Sequence, residues 1–182
     1  MSDILIVIDY QHDFVDGVLG SKEAQQLYLP LKRLVESYIA DKKNIIFTVD
    51  THDGSKYADT QEGRKLPIKH CIKDSNGWQL YGDFKVLADN NRGYVHLAEK
   101  KTFGSLDLAK SVKSACGGAP NEIILAGVVT DICVIANAVL LKTAFSEATI
   151  KVAGNLCAGT TPEMHEKALA VMTSLQIEVV KQ

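Results

Sequence analysis

The residues of this chain able to do chemistry recur at one kind of place, the end of a short apolar run. Cys133 closes the stretch Gly127-Val128-Val129-Thr130-Asp131-Ile132-Cys133, between an apolar run and a segment with helical spacing. A thiol in the first turn of a helix, with Thr130 or Asp131 as a cap, meets unpaired N–H groups and the positive end of the helix dipole. Both favour a thiolate, and the same N–H groups could hold an oxyanion during acyl transfer. The plain alternative is a small residue packing helix against sheet. Asp9 ends another apolar run, where an unpaired charge is costly, so it needs a cationic partner or a proton to exchange. Lys100 or Lys101, at the end of a third run, is the natural partner. A lysine beside Asp and Cys lowers the thiol pKa and steadies the carboxylate.

A second set lies nearby in sequence. Asp50 and His52 stand two apart at the end of a run, which on an extended strand points both side chains the same way. With His70 they offer one carboxylate and two imidazoles, a set suited to zinc, iron or manganese with open positions for water or ligand. Glu62 is a further oxygen donor in the same loop. The alternative is that both histidines are loop residues without metal. His12, His96 and His165 show no comparable grouping and read as surface or core residues.

The elements that must position these groups follow from hydrophobic patterning. Apolar runs at Ile4–Ile8, Ile45–Val49, Tyr94–Leu97, Ile123–Ala126, Thr149–Ala153 and Ile177–Val180 are mostly continuous, as in strands buried on both faces of a parallel sheet. Between them, helical spacing predicts helices over Leu27–Ile39, Leu106–Ala115 and Ile132–Phe145. A last helix opens at Pro162, with Thr161 as N-cap, and runs to Leu175. Strand alternating with helix gives an α/β fold with a mainly parallel sheet, and ligands of such sheets bind beyond the carboxyl ends of the strands. The stretch 51–92 breaks the rhythm. It is polar and glycine-bearing, and too long for an ordinary connection, which marks it as functional.

Bulk composition narrows the field. With 182 residues, 46 % hydrophobic and 23 % charged, the chain reads as one ordinary globular domain, residues 1–182. A net charge of −2 and the lack of a basic run give no support for nucleic acid or an anionic membrane as partner. The opening MSDILIVIDY lacks the basic start of a signal peptide, and no stretch approaches the roughly 18 apolar residues of a membrane span. The four cysteines form no CxxC pair, so a cytoplasmic protein without disulfides is expected.

Taken in order, these residues resemble the isochorismatase-like cysteine hydrolases, and among them the nicotinamidases. Ile6-Val7-Ile8-Asp9-Tyr10-Gln11-His12-Asp13-Phe14 is similar to the family's opening motif. Asp50-Thr51-His52 with His70-Cys71 resembles its metal loop, and Lys100-Lys101-Thr102-Phe103 its lysine motif. Gly127 to Val134 resembles the nucleophile motif, the most specific of these. The resemblance covers nearly the whole chain and implies a Rossmann-like three-layer sandwich around a six-stranded sheet. It implies a triad of Asp9, Lys100 and Cys133, the spacing to Phe103 choosing Lys100 over Lys101. It places a cis peptide at Val128–Val129 and an oxyanion hole in the N–H groups of Val129 and Cys133. Phe14 would form one wall of the substrate pocket, with Phe103, Tyr57 or Trp78 opposite. Asp50, His52, His70 and Glu62 would hold a divalent metal, zinc first.

The implied activity is hydrolysis of nicotinamide through a thioester. The rivals are hydrolysis of another small amide, carbamoyl or ureido compound, and a non-catalytic binding module on the same fold. An isochorismate-type vinyl-ether hydrolase fits less well, since those relatives lack the cysteine. The expected partners are a small-molecule amide and further copies of the chain.

Overall fold

The apolar runs do form strands, the inner ones buried on both faces and the two at the sheet edges partly exposed. The structure, a computed structural model, describes residues 3–182. Its six strands are β1 (Asp3–Ile8), β2 (Asn44–Asp50), β3 (Val95–Lys100), β4 (Glu122–Val128), β5 (Thr149–Ala158) and β6 (Glu178–Val180). They lie in the order β3-β2-β1-β4-β5-β6, and every pairing is parallel rather than mainly so. The helices are α1 (His12–Val15), α2 (Lys22–Gln26), α3 (Tyr28–Ala40), α4 (Gln61–Lys65), α5 (Phe84–Asn90), α6 (Leu108–Cys116), α7 (Ile135–Ala144) and α8 (Pro162–Ser174).

The strand period of two divides the core. Leu5 and Val7 of β1 pack with Leu31 and Val35 of α3 and Phe84 of α5. Ile4, Ile6 and Ile8 pack on the other face with Leu108 of α6, Leu141 of α7 and Met172 of α8. Helices thus cover both faces, as continuous apolar strands require. The crossovers from β1 to β3 run on one face and those from β3 to β6 on the other. The direction of winding reverses between β1 and β4, which opens a crevice at their carboxyl ends.

Several elements differ from the spacing. β3 runs on to Lys100 and β5 to Ala158. Gly154 and Asn155 disguise the second half of β5, where the register against β4 shifts between Leu125 and Gly127 and lets the strand continue. Helix α6 begins at Leu108 rather than Leu106, whose side chain is exposed in the loop before it. Thr161 caps α8 by accepting from the Met164 N–H, with Pro162 in the first turn, as predicted. Segment 51–92 holds a 3-10 turn (Tyr57–Asp59), α4 and α5, and is stitched to the sheet region by isolated bridges, His52 to Ile72 and Gln11 to Leu80.

At the crevice the chain permits little variation. Gly127 has φ 114°, and a Cβ there would collide with the carbonyl oxygen of Ile8 on β1. The following Val128–Val129 peptide is cis, where the resemblance places it.

Candidate active site

Three strand ends bring Asp9, Lys100 and Cys133 together. Asp9 follows β1 in a left-handed conformation, φ 47°, which aspartate tolerates better than most residues. Its N–H donates to Thr48 Oγ1 (3.1 Å), and the Thr48 hydroxyl donates back to Asp9 Oδ1 (2.6 Å). Lys100 ends β3, in register beside Asp50 at the end of β2. Its Nζ lies 2.7 Å from Asp9 Oδ2, 3.3 Å from Asp50 Oδ1, 3.1 Å from the Thr102 carbonyl and 3.6 Å from Cys133 Sγ. Asp9, Lys100 and Cys133 are all buried, whereas Lys101 is exposed, so Lys100 is the lysine brought to this group.

Cys133 does not occupy the first turn of an α-helix. It sits in a π turn, Thr130–Val134, that leads into α7. Neither Thr130 nor Asp131 caps this turn, because both side chains tie it to the chain beyond β5. Thr130 Oγ1 lies 2.8 Å from His165 Nδ1, so His165 has a partner that its isolation in sequence did not suggest. The Asp131 carboxylate accepts from the N–H and the hydroxyl of Thr160, each at 2.7 Å.

The electrostatics add burial to the expected pull of the lysine. Burial raises the Asp9 carboxyl above its ordinary range, Lys100 opposing and Asp50 adding to the rise. Burial would lower Lys100, but the charges of Asp9, Cys133 and Asp50 outweigh it and keep the ammonium protonated. Burial, with Asp9 adding, pushes the Cys133 thiol well above its usual value in spite of Lys100. The lysine's pull on the thiol is present but outweighed. Asp9 Oδ2 pairs closely with the Lys100 ammonium.

Beside this group stands a second one. Asp50, His52 and His70 are buried and present ligand atoms within 4.8 Å of one another. Asp50 Oδ2 lies 3.0 Å from His52 Nε2 and 3.6 Å from His70 Nε2. Glu62 Oε1 faces the same two nitrogens at 3.8 and 3.5 Å. His70 Nδ1 lies 2.9 Å from the Ile68 carbonyl, which can only accept, so a neutral His70 turns its Nε2 lone pair toward the two carboxylates. Such an arrangement needs a cation between the groups, either a proton or a metal. With a proton there, hydrogen bonds to Asp50 and Glu62 outweigh burial and lift His70 to about 10. Asp50 is held below the usual range, its bonds to His52 and His70 outweighing burial. Two imidazoles, two carboxylates and a backbone-fixed tautomer fit a divalent transition ion.

Two positioning residues were visible in the sequence only as a motif. Gln11 Oε1 accepts from the Asp50 N–H (2.8 Å), and Gln11 Nε2 donates to the carbonyls of Asp50 (3.0 Å) and Trp78 (2.8 Å). Asp13 Oδ2 accepts from the N–H of Cys71 (2.7 Å), the residue after His70, itself at φ 45°. Gly77 abuts the Asp13 carboxylate so closely that no Cβ would fit. Asp9, Gln11 and Asp13 thus serve the thiol group, the Asp50 backbone and the His70 backbone in turn. Polar residues alternating directly after a buried strand are the signal that reveals them.

Above both groups opens a cavity of 370 Å³ lined by Phe14, Phe103, Val129 and Ile132, with Cys133, Asp50, Glu62 and His70 in its wall. The Phe14 ring meets His70 edge-on, centroids 5.5 Å apart. Phe103 is the second aromatic of this lining. Tyr57 instead packs edge-on against His52 and His70, and Trp78 donates from Nε1 to Thr51 Oγ1 (2.8 Å).

The fold and this cluster define a doubly wound α/β protein with a buried acid–lysine–thiol site. Residues 3–182 match the isochorismatase domain, and the chain belongs to the isochorismatase family. A relative from Bacillus subtilis (strain 168), an uncharacterized isochorismatase family protein PncA, is 34 % identical over 148 residues, covering 76 % of this chain and 78 % of the relative. The crystal structure of nicotinamidase PncA from Bacillus subtilis superposes with a TM-score of 0.86 at 29 % identity, all of both chains covered. The pyrazinamidase of Pyrococcus horikoshii in complex with zinc shares the fold, with a TM-score of 0.82 at 22 % identity and all of both chains covered.

Proposed function

We propose that this chain is a nicotinamidase, an amidohydrolase that converts nicotinamide to nicotinate and ammonia through a thioester on Cys133. The observation that carries the reading is Lys100 Nζ, 2.7 Å from Asp9 and 3.6 Å from Cys133, beneath an apolar cavity walled by the Asp50, His70 and Glu62 donors. The structural neighbours named as nicotinamidases support it. So does the lining itself, whose charged residues among those described are Asp50 and Glu62, with no lysine or arginine. A neutral ring amide suits that wall better than a carboxylate-bearing carbamoyl or ureido compound.

In the proposed cycle, Asp9 takes the proton of Cys133 as the sulfur attacks the amide carbon. Lys100 stays protonated and keeps the buried charges in balance. The N–H groups of Val129 and Cys133 receive the oxyanion. Protonated Asp9 gives its proton to the leaving ammonia. Water then attacks the thioester and Asp9 accepts its proton, which returns to sulfur as nicotinate leaves. A divalent metal bound by Asp50, His52, His70 and Glu62, zinc first with iron or manganese as alternatives, would supply a Lewis-acid anchor for the pyridine nitrogen. The same reading takes residues 1–182 as one domain of a cytoplasmic, homo-oligomeric enzyme in the salvage of nicotinamide for NAD.

The test is ammonia release from nicotinamide by the metal-loaded protein, compared with a panel of primary amides and carbamoyl compounds. Nicotinamide should give the highest kcat/KM. Turnover of a carbamoyl compound with none of nicotinamide would overturn the reading.

A further inference from the structure

The loop between β3 and α6 carries Phe103, half exposed, yet it touches the buried machinery at several points. Lys100 Nζ donates to the Thr102 carbonyl (3.1 Å), and the Thr102 hydroxyl donates to the Gly104 carbonyl (2.7 Å). The remaining anchor is a residue with no part in the reaction described above. Asn137 is fully buried on α7, one turn beyond Cys133. Its Nδ2 donates to the carbonyls of Phe103 (3.0 Å) and Cys133 (2.8 Å), and its Oδ1 accepts from the N–H of Ser105 (2.9 Å). One amide therefore joins the backbone on both sides of Gly104 to the backbone of Cys133. Gly104 seats the loop against α7, where a Cβ would press on Leu140 and Ala136.

An asparagine is the residue that can do this. It offers two donors and an acceptor on a short, flat group, and all three are used, as burial demands. Around it α7 is built of apolar residues, Ala136, Ala138, Val139, Leu140 and Leu141, so helix packing does not call for an amide here.

We propose that Asn137 is a positioning residue that sets substrate affinity by fixing the Phe103 wall relative to Cys133. The inference rests on the amidase reading for its kinetic consequence and on geometry alone for the clamp. Asn137 touches no reacting atom and acts through the main chain of Phe103 and Ser105. Loss of the amide frees the wall while leaving Asp9, Lys100 and Cys133 in place. It should therefore act on KM rather than on kcat.

The experiment is a double-mutant cycle on the metal-loaded enzyme with nicotinamide. Asn137→Ala should raise KM about tenfold with kcat within about twofold, and should add little in a Phe103→Ala background. Amide hydrogen exchange over residues 103–108 should quicken in Asn137→Ala, while the rate of Cys133 alkylation by iodoacetamide stays put. Asn137→Ser serves if the alanine variant does not fold. Serine can still bond the Cys133 carbonyl one turn back but cannot reach the loop, so the same KM and exchange changes are expected. Unchanged KM and exchange in an active enzyme, or penalties that simply add with Phe103→Ala, would overturn the inference. A wild-type protein inactive on nicotinamide would instead count against the function, and unchanged loop exchange would still sink the clamp.

Discussion

The two halves of the site are held in different ways. Asp9 and Lys100 stand at or just beyond strand ends, where the register of a buried parallel sheet fixes their separation, and Cys133 follows β4 in the π turn that leads into α7. The donor cluster shares one such anchor, Asp50 at the end of β2, but His70 and Glu62 come from the irregular segment 51–92. There the backbone is located by side chains, Gln11 gripping Asp50 and Asp13 gripping Cys71. A sheet edge is costly to deform, whereas a loop held by single hydrogen bonds yields to a single substitution. Mutation should therefore separate the halves, one failing in chemistry and the other in ligand binding.

The largest effect is expected at the sheet-borne half. Cys133→Ala should lower kcat by at least about 10³-fold with an unchanged circular dichroism spectrum and full metal content. Turnover near the wild-type level would end the case for a cysteine nucleophile. At the loop-borne half, His70→Ala should cut metal content and reduce kcat/KM by about 10²-fold, while iodoacetamide still labels Cys133. If labelling is lost as well, the two halves are not separable. Asp13→Asn keeps the shape of the side chain but weakens its grip on Cys71. It should lower metal affinity about tenfold, as equilibrium dialysis would show. An affinity equal to wild type would mean that the loop needs no such anchor.

The smallest effect concerns pH. Burial and Asp50 raise the Asp9 carboxyl above its ordinary value of 3.8. As pH falls through that raised value Asp9 becomes protonated and can no longer take the thiol proton. The acid limb of kcat/KM should accordingly lie above the ordinary carboxylate range. The depressed Asp50 works in the opposite sense for stability. Its contribution is complete above its unfolded value of 3.8 and is lost as pH falls below it, so metal-free protein should melt at progressively lower temperature there.

The same contrast explains what was legible in the sequence. Continuous apolar runs located all six strands, and reading the residue after each one found Asp9, Asp50, Lys100 and the Cys133 segment. Hydrophobic period does not reveal helices of one or two turns, so α1, α2, α4 and α5 were passed over within loops. Nor does it distinguish a π turn from the first turn of an α-helix. The residues missed, Gln11, Asp13 and Asn137, act through backbone groups far away in sequence. Their only local sign is an amide or acid where packing alone asks for none.

The ammonium of Lys100 has three hydrogens, and four acceptors surround it. At every instant one acceptor goes without. In the proposed cycle, negative charge gathering on sulfur would draw a hydrogen toward it, away from Asp9, Asp50 or the carbonyl that moors the aromatic loop. Progress along that cycle would thereby reach the donor cluster and the rim of the cavity together. A single cation, short of one hand, would make attack and ligand-holding parts of one shared count.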